Sequence, residues 1–529
     1  MDVEHLVGQK LLFAFHGKDS LSPEIINSFE SYHPSGISLF RSLNMGTASQ
    51  IKALTQALQK LAHELGLPPL LIATDQEGGQ LMAFGDGTPL PGNMALGATR
   101  SPELARKAGE VLGREMAALG INIDYAPSAD VNINPRNPVV GVRSFGEEPE
   151  LVGELAAAMV EGIQSQGVAA TVKHFPGHGD TASDSHHGLG TVSHSMERIQ
   201  SVELVPFRSA LKAEVKLVMT AHLGIPALDG PNPPPATLSS SVINGLLRKD
   251  LGYDGVVVTD AMDMHAIRQG ELLREDSLRA AQAGADLLLV TSDPQDHTRA
   301  YEALLAGAQK GSLTVDDLQA SVDRVMRLKN WLTQNGTSPD LDVIQCADHM
   351  QIANEIAEKS ITLVRDEKKF LPIQLGAEKR IAVVIPTPQD LTPADTSSYI
   401  RPALAKSIRE YHAQTDEFNI PLVPSEQEIA STIEQIRSYD LIVLGTINAY
   451  AEEKQAQFVR QVLQIGKPVI VVAMRLPYDL AVFPEASTYI CTYSILEPAM
   501  RAVAKAMFGQ AEMTGRLPVS IPALYKAYS

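Results

Sequence analysis

Cysteine is nearly absent from this chain: Cys346 and Cys491 are the two in 529 residues. That excludes a disulfide framework and a thiolate metal centre. Long apolar runs are missing as well. None approaches the roughly 20 residues of a membrane span. The opening stretch, "MDVEHLVGQKLLFAFHGKDS", is acidic where a secretory leader is basic. A cytoplasmic location with no membrane partner is therefore the expectation. Basic residues are in short supply: 44 Lys and Arg stand against 62 Asp and Glu, a net charge of −18. Such a balance argues against nucleic acid as a partner and otherwise signifies solubility. No Walker motif, internal repeat or low-complexity segment occurs.

What the chain does have is a rhythm. Short apolar runs ending in polar residues recur: "KLLFAFHG", "GISLFRS", "PLLIATDQEGG", "INIDYAPSADVN", "AATVKHFPG", "KLVMTAHLG", "GVVVTDAMD" and "ADLLLVTSD". Nearly continuous β-rich runs of this kind read as buried parallel strands. Helix-patterned stretches separate them, such as "SPELARKAGEVLGREMAALG", with Ser101 as N-cap, Pro102 in the first turn and Gly120 at the stop. Eight strands alternating with helices predict a (β/α)8 TIM-like barrel over residues 1–335. The turn formers of "TQNGTSPDLD" open a linker over 336–350. A smaller α/β sandwich domain is expected over 351–529, from "RIAVVIPTP", "YDLIVLGTI" and "KPVIVVAMRLPYDL".

A barrel builds its site from the C-terminal ends of its strands. The polar endings there are His16, Asp75, Asp130, Lys173 with His174, His222 and Asp260. One loop, "VKHFPGHGDTASDSHHGLG", is crowded with His174, His178, His186, His187, Asp180 and Asp184. A metal site does not follow, because Pro176 and the glycines break the helix that would align His174 with His178. The run "GHGDTA" satisfies a dinucleotide-loop spacing, but no helix opening or later acid completes that fingerprint. The remaining reading is acid/base chemistry. In "DSH", Asp184 can hold Nδ1–H of His186 and leave Nε2 free to exchange a proton. Asp260, at the end of a buried strand, can serve as a carboxylate nucleophile. An acid/base and a carboxylate on one barrel face are the parts of a retaining glycosidase. No metal or organic cofactor is expected.

These segments, together with "ATDQEGGQ", "NPVVGVRSFGEEP", "TAHLGIPALD" and "AKAMFGQAEMTGRLPVSIP", resemble family 3 glycoside hydrolases over nearly the whole chain. The run K-H-F-P-G-H-G followed by D-x-H resembles the β-N-acetylglucosaminidase branch. The resemblance implies Asp260 as nucleophile and Asp184–His186 as orienting acid and acid/base. It implies Asp75, Arg143, Lys173 and His174 as holders of the sugar hydroxyls, and His222 is grouped with them. The implied activity is retaining, exo-acting release of terminal β-linked N-acetylglucosamine from muropeptide or chitin-type oligosaccharides. Phosphorolysis on the same residues and β-glucosidase activity are the alternatives. The family pattern E-G-G-R/Q-V-x-R reads "EGGQLMA" here, with Gln80 at the first variable position and Ala83 where a second basic residue is expected. In the second domain, Asp390 and Asp479 are the acids that could compete for the acid/base role. A packing and rim role is the expectation for that domain.

Overall fold

The computed structural model describes residues 2–181 and 189–528. Each of the eight apolar runs forms a strand: β1 Leu11–Phe13, β2 Gly36–Ser38, β3 Leu71–Thr74, β4 Ile123–Asp124, β5 Ala169–Phe175, β6 Leu217–Thr220, β7 Val256–Thr259 and β8 Leu288–Val290. They pair in parallel in the order β7-β6-β5-β4-β3-β2-β1-β8. An isolated parallel bridge between Val258 and Leu287 joins the two ends of that row, so the sheet closes into a barrel. Strand residues facing inward, such as Leu12, Leu71, Ile123, Leu217 and Val256, form a packed core of their own. The barrel interior is therefore filled, and a ligand can enter only at its ends.

The helices form as their caps dictate. Over α1, Pro102–Leu119, the Ser101 side chain accepts from the Leu104 amide, and Gly120 ends the helix at φ 78°. That φ lies in the left-handed region, where glycine costs least. α1 crosses α2, Pro149–Ser165, at close range through small residues. A Cβ added at Gly162 would collide with the Arg106 carbonyl. The barrel's last helix is α3, Val315–Asn335, and α4, Ala347–Ser360, begins the passage to the second domain.

The second domain holds six strands: β9 Thr362–Asp366, β10 Ile381–Pro386, β11 Thr415–Ile420, β12 Leu441–Thr446, β13 Val469–Ala473 and β14 Thr488–Cys491. Their order is β9-β14-β13-β12-β10-β11, with only β9 antiparallel to its neighbour. Helices cover the sheet, which makes this the expected α/β sandwich. One apolar cluster runs without a break from the barrel helices into this domain. Polar contacts join them too. Glu115 of α1 meets His349 of α4 at 3.0 Å, and Glu147 accepts from the Ser520 amide at 2.8 Å.

Candidate active site

At the C-terminal ends of the barrel strands lies a cavity of about 550 Å³. Asp75, Arg143, Lys173, His174, His178 and Asp260 line it from the barrel side. A roomier hollow of about 750 Å³ sits at the opposite end, near Lys216, Tyr253 and Trp331. That end holds the N-terminal ends of the strands, the stability face of such a barrel.

The floor of the cavity is an ionic lattice. Lys173, near the end of β5, is almost fully buried; its Nζ lies 2.5 Å from Asp75 Oδ1 and 2.6 Å from Glu77 Oε1. Arg143, carried by a 3-10 turn in the loop after β4, grips Glu77 with two hydrogen bonds of 2.7 and 3.0 Å. Such a bidentate fork fixes both partners in plane. Burial alone would raise the Glu77 carboxyl, yet the Arg143 and Lys173 cations hold it down at about 2. Burial likewise opposes the Lys173 ammonium, but Asp75 and Glu77 raise it above the usual lysine range. Charges this deep persist because each has a partner. Asp75 is the member of the lattice that opens to the cavity, with 24% of its side chain exposed.

A second pair stands beside it. His174 Nδ1 lies 2.7 Å from Asp130 Oδ2, while the His174 and His178 amides donate to Asp130 Oδ1 at 3.2 and 2.6 Å. Burial would raise Asp130, but the two imidazoles and these donors lower it. Arg143 Nη2 faces His174 Nε2 at 3.4 Å. A guanidinium only donates, so Nε2 accepts and the ring proton belongs on Nδ1, toward Asp130. His178 is pushed down to about 4 by burial, which keeps it neutral at ordinary pH. Its Nδ1 lies 2.8 Å from Thr181 Oγ1.

Asp260 follows β7 directly. Its amide donates to the Thr220 carbonyl of β6 at 3.3 Å, and its Oδ1 accepts from the Ala261 amide at 2.8 Å. The side chain is partly exposed and lines the cavity.

The placement of His222 differs from the expectation of a ligand contact. It is fully buried and absent from the cavity wall; its Nδ1 lies 2.8 Å from Thr237 Oγ1 and its Nε2 2.9 Å from the Ala261 carbonyl. It therefore braces the backbone that follows Asp260. His16, at the end of β1, meets Ser292 at 3.1 Å and does not line the cavity. Asp184 and His186 lie outside the described residues. No strand-end signal in the sequence marks Glu77. The available signal was its place two residues after Asp75, since alternate positions of an extended segment share a side.

The roof belongs to the second domain. The loop after β10 brings Asp390, Ala394, Asp395, Thr396 and Tyr399 to the cavity. Gln80 anchors it: its backbone carbonyl accepts from the Thr396 amide and hydroxyl at 2.8 Å each, and its Nε2 donates to the Ala394 carbonyl at 3.1 Å. Gln80 Oε1 accepts from Arg475, which also binds Asp395 at 2.7 Å. A basic side chain at position 80 would face Arg475 with like charge, which gives glutamine a physical reason. Ala83 lines the cavity as expected of a rim position. Asp390 is exposed and held by the Ser398 amide and hydroxyl at 2.7 Å each. Asp479 is fully buried away from the cavity, where burial pushes it up to about 6.

Among the described residues, Asp180, His194 and Glu203 could together offer ligands to a metal. Arg198 lies among them, 3.0 Å from Glu203 and 3.7 Å from Asp180, and already supplies the positive charge.

Similarity to known proteins decides the family. The description "Glycosyl hydrolase family 3 N terminal domain" matches residues 8–328, and that family's C-terminal domain matches residues 361–529. The chain belongs to glycoside hydrolase family 3. It is 30% identical to β-hexosaminidase A of Pseudoalteromonas piscicida, across 98% of this chain and 97% of the relative. The solved family 3 β-N-acetylglucosaminidase of a Paenibacillus strain superposes with a TM-score of 0.93 at 38% identity, covering 98% of each chain. A β-glucoside phosphorylase shares the fold at a TM-score of 0.81 and 26% identity, over 98% of this chain and 93% of that one. This family 3 member is thus a glycoside hydrolase of two-domain form, grouped with the β-hexosaminidases. None of its described helices is long and apolar enough to cross a membrane.

Proposed function

We propose that this hydrolase removes terminal β-linked N-acetylglucosamine from oligosaccharides by a two-step mechanism with retention of configuration. One observation carries the reading: a partly exposed carboxylate, Asp260, shares a cavity with the Asp75–Lys173–Glu77–Arg143 lattice. The lattice offers a sugar ring what its hydroxyls need. Asp75 accepts, Lys173 donates, and His174 adds a third polar contact. Glu77 and Asp130 hold those donors in place and need not touch the ligand.

In the first step an Asp260 oxygen bonds to the anomeric carbon as the glycosidic C–O bond breaks. His186, protonated and oriented by Asp184, transfers its proton to the departing oxygen. In the second step His186 takes a proton from water, whose oxygen displaces Asp260 and releases the sugar. His222, through the Ala261 carbonyl, holds the backbone that aims Asp260. Muropeptides and chitin-type oligomers both end in the required sugar and are the substrate classes in view.

Similarity to a β-glucoside phosphorylase makes inorganic phosphate the critical variable. Products from an N-acetylglucosaminyl disaccharide should be free N-acetylglucosamine with or without phosphate. Sugar 1-phosphate as the main product would replace hydrolysis by phosphorolysis on the same residues. Release of glucose in strong preference to N-acetylglucosamine would make the enzyme a β-glucosidase.

A further inference from the structure

The cavity has a second zone above its ionic floor. Arg41, just after β2, reaches the rim, where Ser42, Asp263 and His265 are solvent-exposed. Three Arg or Lys side chains line this cavity: Arg41, Arg143 and Lys173. The latter two are each tied to carboxylates within 2.7 Å. Arg41 makes no ion pair among the described residues. Its Nη1 donates to the Met82 carbonyl at 2.8 Å, and its Cζ sits 4.1 Å above the ring of Tyr399 from the second domain. The carboxylates whose field it feels are Asp86 and Asp390. Of these, Asp390 is already engaged by Ser398.

The position of this guanidinium is informative. It lies across residues 82–85, where a Cβ at Gly85 would collide with it. Its contacts at Met82 and Gly85 flank Ala83, the site where the family pattern carries a basic residue. The cation missing from one segment is supplied by another strand end and steadied by an aromatic ring from the other domain. Stacking fixes the plane of the guanidinium and leaves its remaining N–H groups to a ligand.

We propose that Arg41, held by Tyr399, recognises a carboxylate on the sugar that departs from the cleaved bond. The inference rests on the reading above: with the terminal N-acetylglucosamine on the buried floor, the remainder of the substrate must emerge past the exposed rim. A half-buried guanidinium with no direct ion pair among the described residues favours an anionic over a neutral group in the same place.

The test uses the full-length enzyme and two disaccharides. Each is N-acetylglucosamine β-linked to a second sugar that bears a side-arm carboxylate, free in one and capped as its primary amide in the other. The departing oxygen is the same, so the ratio of kcat/KM values isolates recognition of the charge. The parent enzyme should prefer the acid by about tenfold to a hundredfold, the range of a charge-assisted hydrogen bond. Arg41→Gln should bring the ratio to within about twofold of unity, chiefly through KM for the acid, and Arg41→Lys should restore part of it. Cleavage of the amide by Arg41→Gln shows that the variant is folded. A parent ratio near one, with both compounds cleaved, overturns the inference and leaves the proposed function standing. A high ratio that survives Arg41→Gln overturns it as well. Failure to cleave either compound overturns the function and the inference with it. Phosphate-dependent sugar 1-phosphate formation that is lost in Arg41→Gln would assign Arg41 to phosphate instead.

Discussion

Glu77 and Asp479 are both carboxylates sealed inside the protein, one in the barrel and one in the second domain, and they sit at opposite ends of the titration scale. Glu77 is held at about 2 and Asp479 is pushed up to about 6. Burial acts on both in the same direction. The difference is company: Glu77 lies between Arg143 and Lys173, whereas Asp479 accepts from the Tyr450 amide at 2.9 Å and has no cation beside it among the described residues. The barrel has assembled charges that sustain one another around a cavity. In the second domain Asp395 is likewise buried and paired, with Arg475 at 2.7 Å, whereas Asp479 lies away from the cavity among neutral groups. The contrast favours the proposal that the chemistry belongs to the barrel, with the second domain as the roof of the cavity.

The largest expected break comes from Asp260→Asn. Loss of a carboxylate nucleophile should lower kcat by at least about a thousandfold, with the melting temperature nearly kept because the side chain is partly exposed. Next is the proposed dyad. His186→Ala and Asp184→Ala should each cost about a hundredfold to ten-thousandfold on unactivated disaccharides. On a nitrophenyl glycoside, whose leaving group needs no proton, His186→Ala should recover most of its first-step rate. Equal losses on both substrates would instead point to a binding role for His186.

The ionic floor breaks differently. Glu77→Gln leaves Arg143 and Lys173 without their shared anion and should destabilise the fold by about 3 kcal/mol. Because the folded pKa of Glu77 lies below its ordinary 4.5, its contribution is complete above pH 4.5 and disappears as pH falls toward about 2. Thermal unfolding across that window should show a steep acid loss in the parent and a shallower one in the variant.

Asp479 carries the opposite sign. Its folded pKa is raised from 3.8 to about 6, so stability is fully present below pH 3.8 and declines as pH rises through 6. Asp479→Asn removes that decline. The variant should gain on the parent between pH 4 and pH 7, by up to about 3 kcal/mol. A pH-independent difference would mean that the carboxyl is not isolated. Smallest of all is Asp390→Ala. An exposed acid already bound to Ser398 should change turnover by no more than about threefold. A collapse of activity in a folded variant would move the acid/base into the second domain.

Much of the barrel was legible because its signals are local. A buried parallel strand is a short apolar run, and a helix declares itself through a cap such as Ser101 and a stop such as Gly120. All eight runs became strands for that reason. The polar strand ends pointed to Asp75, Lys173, His174 and Asp260, because one rule of barrel geometry gathers such ends on one face. Pairing was not legible. Nothing near Glu77 announces Arg143, which arrives from 66 residues away. His222 satisfied the strand-end rule yet is fully buried, with Thr237 and the Ala261 carbonyl as partners for its ring. Arg41 and Tyr399 were invisible as a pair because they come from different domains. The same holds for Gln80, whose partner Arg475 is 395 residues along the chain.

The central claim is that the barrel carries the bond-making carboxylate, and trapping the intermediate tests it most directly. In His186→Ala, the dinitrophenyl glycoside of N-acetylglucosamine should be consumed faster than the glycosyl-enzyme hydrolyses. Acid-quenched protein, digested and weighed by mass spectrometry, should then carry one N-acetylglucosaminyl group on the peptide that holds Asp260. An adduct on any other residue, or none despite a burst of dinitrophenol, would contradict the account.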